Sequence, residues 1–266
     1  MDVAENRNVP YMPGDGARSR LLDVYQPGTV RPGMPSVLLW HGIGADERDV
    51  LAPLAREIAG RGMHVFVPDW RSDMPDGGRS HLLASLRYTQ ENATAHGADG
   101  QRIVLAGWSA GAGAAAGVAL RPELFDGWRP AAVVGIAGDY GRPARTTGTA
   151  PLDDLAEVEP TGIPFGLIHG SGDSTLGSGS SRAFHRALRH HQWPAQFDEP
   201  DTDHAGVIMS EYDPALRRCR STSAPHALRA GAWTARLIAS AAAPPASDGA
   251  SRTRASVHHG EGPAVP

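Results

Sequence analysis

One cysteine, Cys219, is all the thiol that 266 residues carry. A single thiol excludes an intrachain disulfide and fits a reducing compartment. There is also no basic block of the kind that neutralises nucleic-acid phosphates: 25 basic side chains against 29 acidic ones leave a formal charge of −4, so nucleic acid is not an expected partner. No apolar run approaches the roughly 20 residues of a membrane-spanning helix, and none is expected to enter a bilayer. The opening residues Met1-Asp2-Val3-Ala4-Glu5-Asn6 hold neither a basic nor an apolar leader region, which makes the cytoplasm the expected location. Internal repeats are lacking. So is a metal-ligand pattern: His190 and His191, and His258 and His259, are adjacent pairs without further partners at zinc-ligand spacing, so no metal site is expected.

At 28.0 kDa the chain is long enough for one large α/β domain and short for two. Residues 1–18 are polar and rich in turn formers and read as an N-terminal arm, with the domain over 19–242. From 243 to 266 Pro, Ala, Ser and Gly dominate, which predicts a disordered tail.

Short apolar runs predict strands over 21–25, 36–40, 64–67, 103–105, 131–136, 164–168 and 195–197. The first of them is expected at an antiparallel edge, and a turn is expected over 30–35. Helical spacing predicts helices over 46–62, 79–96, 112–120, 181–190 and 223–240. Pro53 is read as the first residue of its helix, with Val50, Leu54 and Ile58 on one face. Leu83, Leu86 and Tyr88 are read as inward-facing, as are Ala230, Trp233 and Leu237. Strands that are near-continuous apolar runs, alternating with helices, predict a mainly parallel sheet covered on both faces. Ligands gather at the carboxyl ends of such strands. The polar residues His41, Asp69, Ser109, Asp139, Asp173 and His204 all fall there.

The stretch Ile103-Val104-Leu105-Ala106-Gly107-Trp108-Ser109-Ala110-Gly111 is an apolar run leading into G-x-S-x-G and then an alanine-rich helix. With a strand before it and a helix after it, that pattern is a nucleophile elbow. The glycines have a steric task, because a β-carbon two residues before or after the serine would meet the opposing helix or strand. A serine hydroxyl alone is a weak nucleophile; acyl transfer needs an imidazole to take its proton and a buried carboxylate to hold the imidazole. Ser109, Asp173 and His204 follow one another in the chain order of an α/β-hydrolase. Asp173 closes the glycine-rich loop after one predicted strand, and His204 lies on a loop of small residues. Asp139 is the rival for the acid, since it too follows a buried strand. Asp203 is read as shaping the His204 loop, and His169 as a satisfied structural histidine.

A tetrahedral intermediate also needs donors for its oxyanion. They are expected from the N–H of Ala110, after the nucleophile, and from Gly42 or Ile43 in the loop His41-Gly42-Ile43-Gly44. Trp70, Trp108 and Tyr140, at strand ends, are read either as lining an apolar acyl pocket or as core packing beside the active edge. The glycines 107, 111, 113 and 117 lack the G-x-G-x-x-G spacing of a dinucleotide site and carry a serine at the turn.

Taken in order, Val9-Pro10-Tyr11, Leu22-Asp23-Val24-Tyr25-Gln26-Pro27, His41-Gly42, Pro68-Asp69-Trp70, Gly107-Trp108-Ser109-Ala110-Gly111, His169-Gly170-Ser171-Gly172-Asp173 and Asp203-His204-Ala205-Gly206 resemble the α/β-hydrolase superfamily, in particular small carboxylesterases and kynurenine formamidase-like enzymes. The likeness spans roughly residues 9 to 240. It implies a serine esterase or amidase that uses Ser109, Asp173 and His204 and needs no cofactor. Ile43 departs from the His-Gly-Gly usual in those relatives, and its branched side chain argues against bulky acyl groups and weakens the formamidase assignment. Residues 141–162, where such folds insert a lid, leave room for little or no cap domain. The expected reaction is hydrolysis of a small carboxylic ester through an acyl-enzyme. The alternatives are an amide or formamide, a thioester or a lactone, or a non-catalytic binding protein on the same fold. The sequence names no oligomeric state.

Overall fold

The computed structural model describes residues 2–14, 19–29 and 33–243. Eight strands, β1 (Val3–Met12), β2 (Arg20–Pro27), β3 (Met34–Trp40), β4 (His64–Pro68), β5 (Ala98–Trp108), β6 (Ala132–Ile136), β7 (Phe165–Ile168) and β8 (Ala195–Asp198), form one sheet. Their order is β1-β2-β4-β3-β5-β6-β7-β8. β1 and β2 pair antiparallel, as do β2 and β4, and every pair beyond is parallel.

The parallel strands are apolar on both faces because both faces are covered. On one face Val37, Leu39, Val104, Ala106 and Trp108 pack with α1 (Arg48–Ala59) and α6 (Pro225–Ala242). On the other, Leu38, Trp40, Ile103 and Leu105 pack with α2 (Arg79–Asn92), α3 (Ala110–Leu120) and α5 (Gly179–His190). From Gly111 to Leu120 every residue of α3 is buried, so this helix has no polar stripe and reads as apolar all round. Among the described residues no helix is long and apolar enough to cross a membrane.

Several elements differ from what the sequence predicts. The arm 1–18 contains β1, a ten-residue strand, and β1 rather than β2 holds the edge. Its side chains are mostly exposed, so its apolar pattern is weak; backbone pairing, the ion pairs Arg7–Asp23 and Arg56–Glu5, the Tyr11 hydroxyl on the Asp69 carbonyl and the packing of Val3, Val9 and Tyr11 on the core hold it. A register shift between Asn6 and Val9, with Asn8 at φ 60°, bends it. Pro53 lies inside α1, which begins at Arg48. The buried face of α2 is His81, Leu82, Ser85, Leu86 and Thr89, one position off the expected Leu83 and Tyr88. Trp233 is 40% exposed, whereas Ala230 and Leu237 are buried as expected. A two-stranded ribbon, β9 (Ser210–Asp213) with β10 (Arg218–Ser221), carries Cys219 and was not expected, its strands being four residues long and polar. The segment 141–162 holds only one short helix, α4 (Pro151–Asp154). Of the predicted tail, all beyond Ala243 lies outside the described residues, as do 15–18 of the arm and 30–32 of the turn.

Candidate active site

β5 ends at Trp108 and α3 begins at Ala110, so the chain reverses at Ser109, with φ 55° and ψ −117°. This is a region that non-glycine residues avoid, at a cost of about 1–3 kcal/mol. The turn persists because both arms are fixed: Ser109 N–H donates to the Ile136 carbonyl at 2.8 Å, while β5 and α3 are buried in the core. The flanking glycines are obligatory. A β-carbon on Gly107 would overlap the Gly111 carbonyl group, and one on Gly111 would stand 2.5 Å from the Trp40 carbonyl oxygen and 2.7 Å from that of His41. Ala110 N–H is the first of α3, where no intrahelical acceptor exists, and it lies at the positive end of the helix dipole.

Asp173 stands five residues past β7, and α5 and β8 return the chain from there to His204. The loops after β7 and β8 are bonded together, with Ser171 N–H on the Pro200 carbonyl and Gly172 N–H on that of Thr202, each at 2.9 Å. Gly170 permits this approach, because its β-carbon would collide with the Thr202 carbonyl. His204 Nδ1–H donates to Asp173 Oδ2 at 2.6 Å. Asp203 Oδ1 accepts the N–H groups of Ala205 (3.1 Å) and Gly206 (2.7 Å), shaping the His204 loop as expected. The rival acid, Asp139, is engaged elsewhere: Oδ1 accepts from Ser180 Oγ and Oδ2 pairs with Arg142.

Asp173 is buried and has all its acceptor positions used. Oδ1 takes the N–H groups of Thr175 (2.7 Å) and Leu176 (3.0 Å), and Oδ2 takes His169 Nε2–H (2.9 Å) besides His204. Burial acts to raise this carboxyl, but the hydrogen bonds from His169, His204 and Leu176 outweigh it and hold the group well below the usual carboxylate range. This favours the ionised carboxylate, the form that accepts all four donors.

Ser109 and His204 are brought to the same sheet edge through Trp108. Its ring lies 5.1 Å from the His204 ring, tilted by 39°, and its Nε1–H donates to the His204 carbonyl at 2.9 Å. Among the described residues no hydrogen bond joins Ser109 Oγ to His204. Catalytic hydrogen bonds are often long before substrate binds.

In the loop after β3, His41 is fully buried; its Nε2 accepts Trp70 N–H at 3.3 Å, which puts the ring proton on Nδ1, 3.0 Å from the Gly42 carbonyl. Neither Gly42 nor Ile43 spends its N–H on another described residue, and Ser72 Oγ–H fixes the Ile43 carbonyl at 2.7 Å. The carboxylate of Glu47 lies beneath this loop, accepting Gly44 N–H at 3.2 Å.

The three aromatic residues are all buried in packing contacts, as the core-packing reading expects. Trp70 stacks on His41 at 5.4 Å and Tyr140 on Phe184 at 4.1 Å, while Trp108 supports His204. What sequence reasoning missed is the shell of support: His169 with Ser181 behind Asp173, and Glu47 behind the loop of Gly42. His169 is satisfied, as expected, but its partner is Asp173, and only its spacing of four residues from Asp173 hints at that.

A mainly parallel sheet with an antiparallel start, a strained serine between β5 and α3, and a carboxylate–imidazole pair on the loops after β7 and β8 define the α/β-hydrolase fold. Solved structures of esterases and a hydrolase share it. A truncated carbohydrate esterase from gut microbiota superposes with a TM-score of 0.66 at 16% identity, over 90% of this chain and 96% of that one. The thermophilic esterase Est2 of the planctomycete Thermogutta terrifontis, with propionate bound, gives 0.67 at 19%, over 86% and 90%. A putative dienelactone hydrolase from Klebsiella pneumoniae gives 0.64 at 18%, over 89% and 98%. No protein-family model and no curated protein matches the chain.

Proposed function

We propose that the protein hydrolyses small carboxylic esters by a serine acyl-enzyme mechanism. The observation that carries this reading is the strained Ser109 standing at the sheet edge where Asp173 and His204 are already paired. Ser109 Oγ attacks the ester carbonyl while His204 Nε2 takes its proton. Asp173 holds the ring by Nδ1–H and stabilises the imidazolium. The oxyanion is met by the Ala110 N–H and by that of Gly42 or Ile43, and one such donor is typically worth about 3 kcal/mol in the transition state. Collapse breaks the carbon–oxygen bond to the alcohol, which leaves with the proton from His204. Water then repeats the sequence: His204 takes its proton, the acyl–serine bond breaks, and Ser109 regains a proton from His204.

Two features support a short acyl group. Trp70, Trp108 and Tyr140 are taken up by packing contacts, and the loop after β3 carries the exposed, branched Ile43 side chain. Among the structural neighbours, Est2 carries propionate in one crystal and butyrate in another.

A fluorophosphonate probe labels the wild type and not Ser109→Ala, and the variant loses at least about 10⁴-fold in kcat. Equal labelling of both proteins refutes the mechanism. A panel of p-nitrophenyl esters with N-formylkynurenine, run with the Ser109→Ala control, separates ester from formamide hydrolysis; short-chain esters are expected to give the highest kcat/KM.

A further inference from the structure

Asp173 Oδ2 receives two imidazole donors, His204 Nδ1–H at 2.6 Å and His169 Nε2–H at 2.9 Å. With Thr175 and Leu176 on Oδ1, the roughly four lone-pair sites of a carboxylate are filled and its rotation is blocked. His169 is fully buried at the end of β7, and its Nδ1 lies 2.8 Å from Ser181 Oγ on α5. Because Nε2 must donate to the carboxylate, Nδ1 of the neutral ring accepts the serine hydroxyl. The Asp173 carboxylate thereby selects the tautomer, and Ser181, whose Oγ also lies 3.5 Å from the Gly138 carbonyl, holds the ring in place from its other side.

We infer that His169 is a positioning residue which, with Ser181, sets the basicity of His204 through Asp173. The inference deepens the serine-hydrolase reading and rests on it for its kinetic readout. Two donors on one oxygen compete for the same negative charge. With His169 present, Oδ2 is a weaker acceptor toward His204; without it, Oδ2 binds Nδ1–H more strongly and stabilises the imidazolium, so His204 titrates at higher pH. Oδ2 also loses one of its two directional constraints, which misorients His204 in the transition state without touching substrate. The other charged groups around the pair have their own partners. Asp203 is bonded to Ala205 and Gly206 N–H, Asp139 to Arg142, and Glu47 lies under the loop of Gly42; Glu199, whose charge also faces His169, is bonded to Arg182 and Ser178; none of them bonds to Asp173 or His204.

The test uses the full chain with His169→Phe, which keeps a ring and removes the donor, and His169→Gln, whose amide N–H reaches the former Nε2 position. kcat and KM for p-nitrophenyl acetate are measured from pH 5 to 9, and His204 is titrated by ¹⁵N-histidine NMR. His169→Phe is expected to move the acid limb of kcat/KM and the His204 titration upward by roughly half a pH unit to one unit. It lowers kcat about tenfold with KM nearly unchanged. His169→Gln keeps both near wild type. A folded His169→Phe protein with an unmoved limb and titration overturns the inference, as does a His169→Gln protein that behaves like His169→Phe. Should His169→Phe fail to fold, Ser181→Ala replaces it, with an upward shift supporting the inference and no shift refuting it. The NMR titration repeated in the Ser109→Ala background reads His204 without turnover. Loss of the serine-hydrolase reading and loss of the His169 inference are therefore separate results.

Discussion

Ile43 carries a branched aliphatic side chain that is 62% exposed, between two glycines with close neighbours. A β-carbon on Gly42 would press within 3.1 Å of the Trp108 ring, and one on Gly44 would overlap the Glu47 carboxylate. Position 43 is where this loop has room for a side chain, and Ile43 places one at the rim. Replacing it with glycine is expected to raise kcat/KM for p-nitrophenyl hexanoate relative to the acetate by about threefold to tenfold, in line with the modest selectivity that a methylene or two provides. An unchanged ratio removes Ile43 from the specificity argument. At this scale residue type and chain order made Ser109, Asp173 and His204 legible. They did not reveal what lies behind each one. His169, Ser181 and Glu47 act through distances that strand order and loop closure create, and nothing in local sequence encodes those distances.

The elbow is the element on which the site depends. Its strain at Ser109 is held by β5 on one side and by the buried α3 on the other. Gly107→Ala forces a β-carbon into the Gly111 carbonyl group, a backbone contact that no rotamer relieves, and is expected to destabilise the protein by about 3 kcal/mol or more in urea unfolding. Gly179→Ala, at the start of α5 with open space around it, is the control; helix propensity makes it neutral or stabilising by up to about 1 kcal/mol. Comparable midpoints for the two variants contradict the steric account. Strands and helices with strong apolar patterns were legible to within a few residues. β1 and the β9–β10 ribbon were not, because a mostly exposed edge strand and a four-residue polar ribbon rest largely on backbone pairing, which leaves little mark on side-chain pattern.

At the scale of the whole molecule, His64 and Asp173 are two of the described groups whose ionisation links fold to pH. His64 opens β4 fully buried, and burial holds its imidazole below the usual histidine range; the charge of nearby His96 acts in the same direction and a hydrogen bond with the His96 backbone opposes it. The unfolded chain takes up that proton near pH 6.5 while the folded chain leaves the ring neutral, so this part of the stability is complete above about pH 6.5 and declines as pH falls below it. His64→Leu is expected to flatten the loss of urea-midpoint stability between pH 7.5 and 5.5. An equal loss in both proteins excludes His64 as its source. The Asp173 carboxylate, held low, adds stability that is present above about pH 4 and is lost as pH falls further.

Sequence alone determined the fold class, the elbow and the order of the three chemical groups. Apolar runs of strand length, glycines two residues either side of a serine, and polar residues at strand ends are local features, and the physics behind them is local. Tertiary structure decided which acid pairs with the histidine. It placed Asp173 Oδ2 at 2.6 Å from His204 and sent Asp139 to Arg142 and Ser180. It also buried the three aromatic residues in packing contacts and gave Asp173 its second histidine. These outcomes depend on how the parallel strands lie beside one another and how the loops after β7 and β8 close together, distances set by the packing of both faces of the sheet at once.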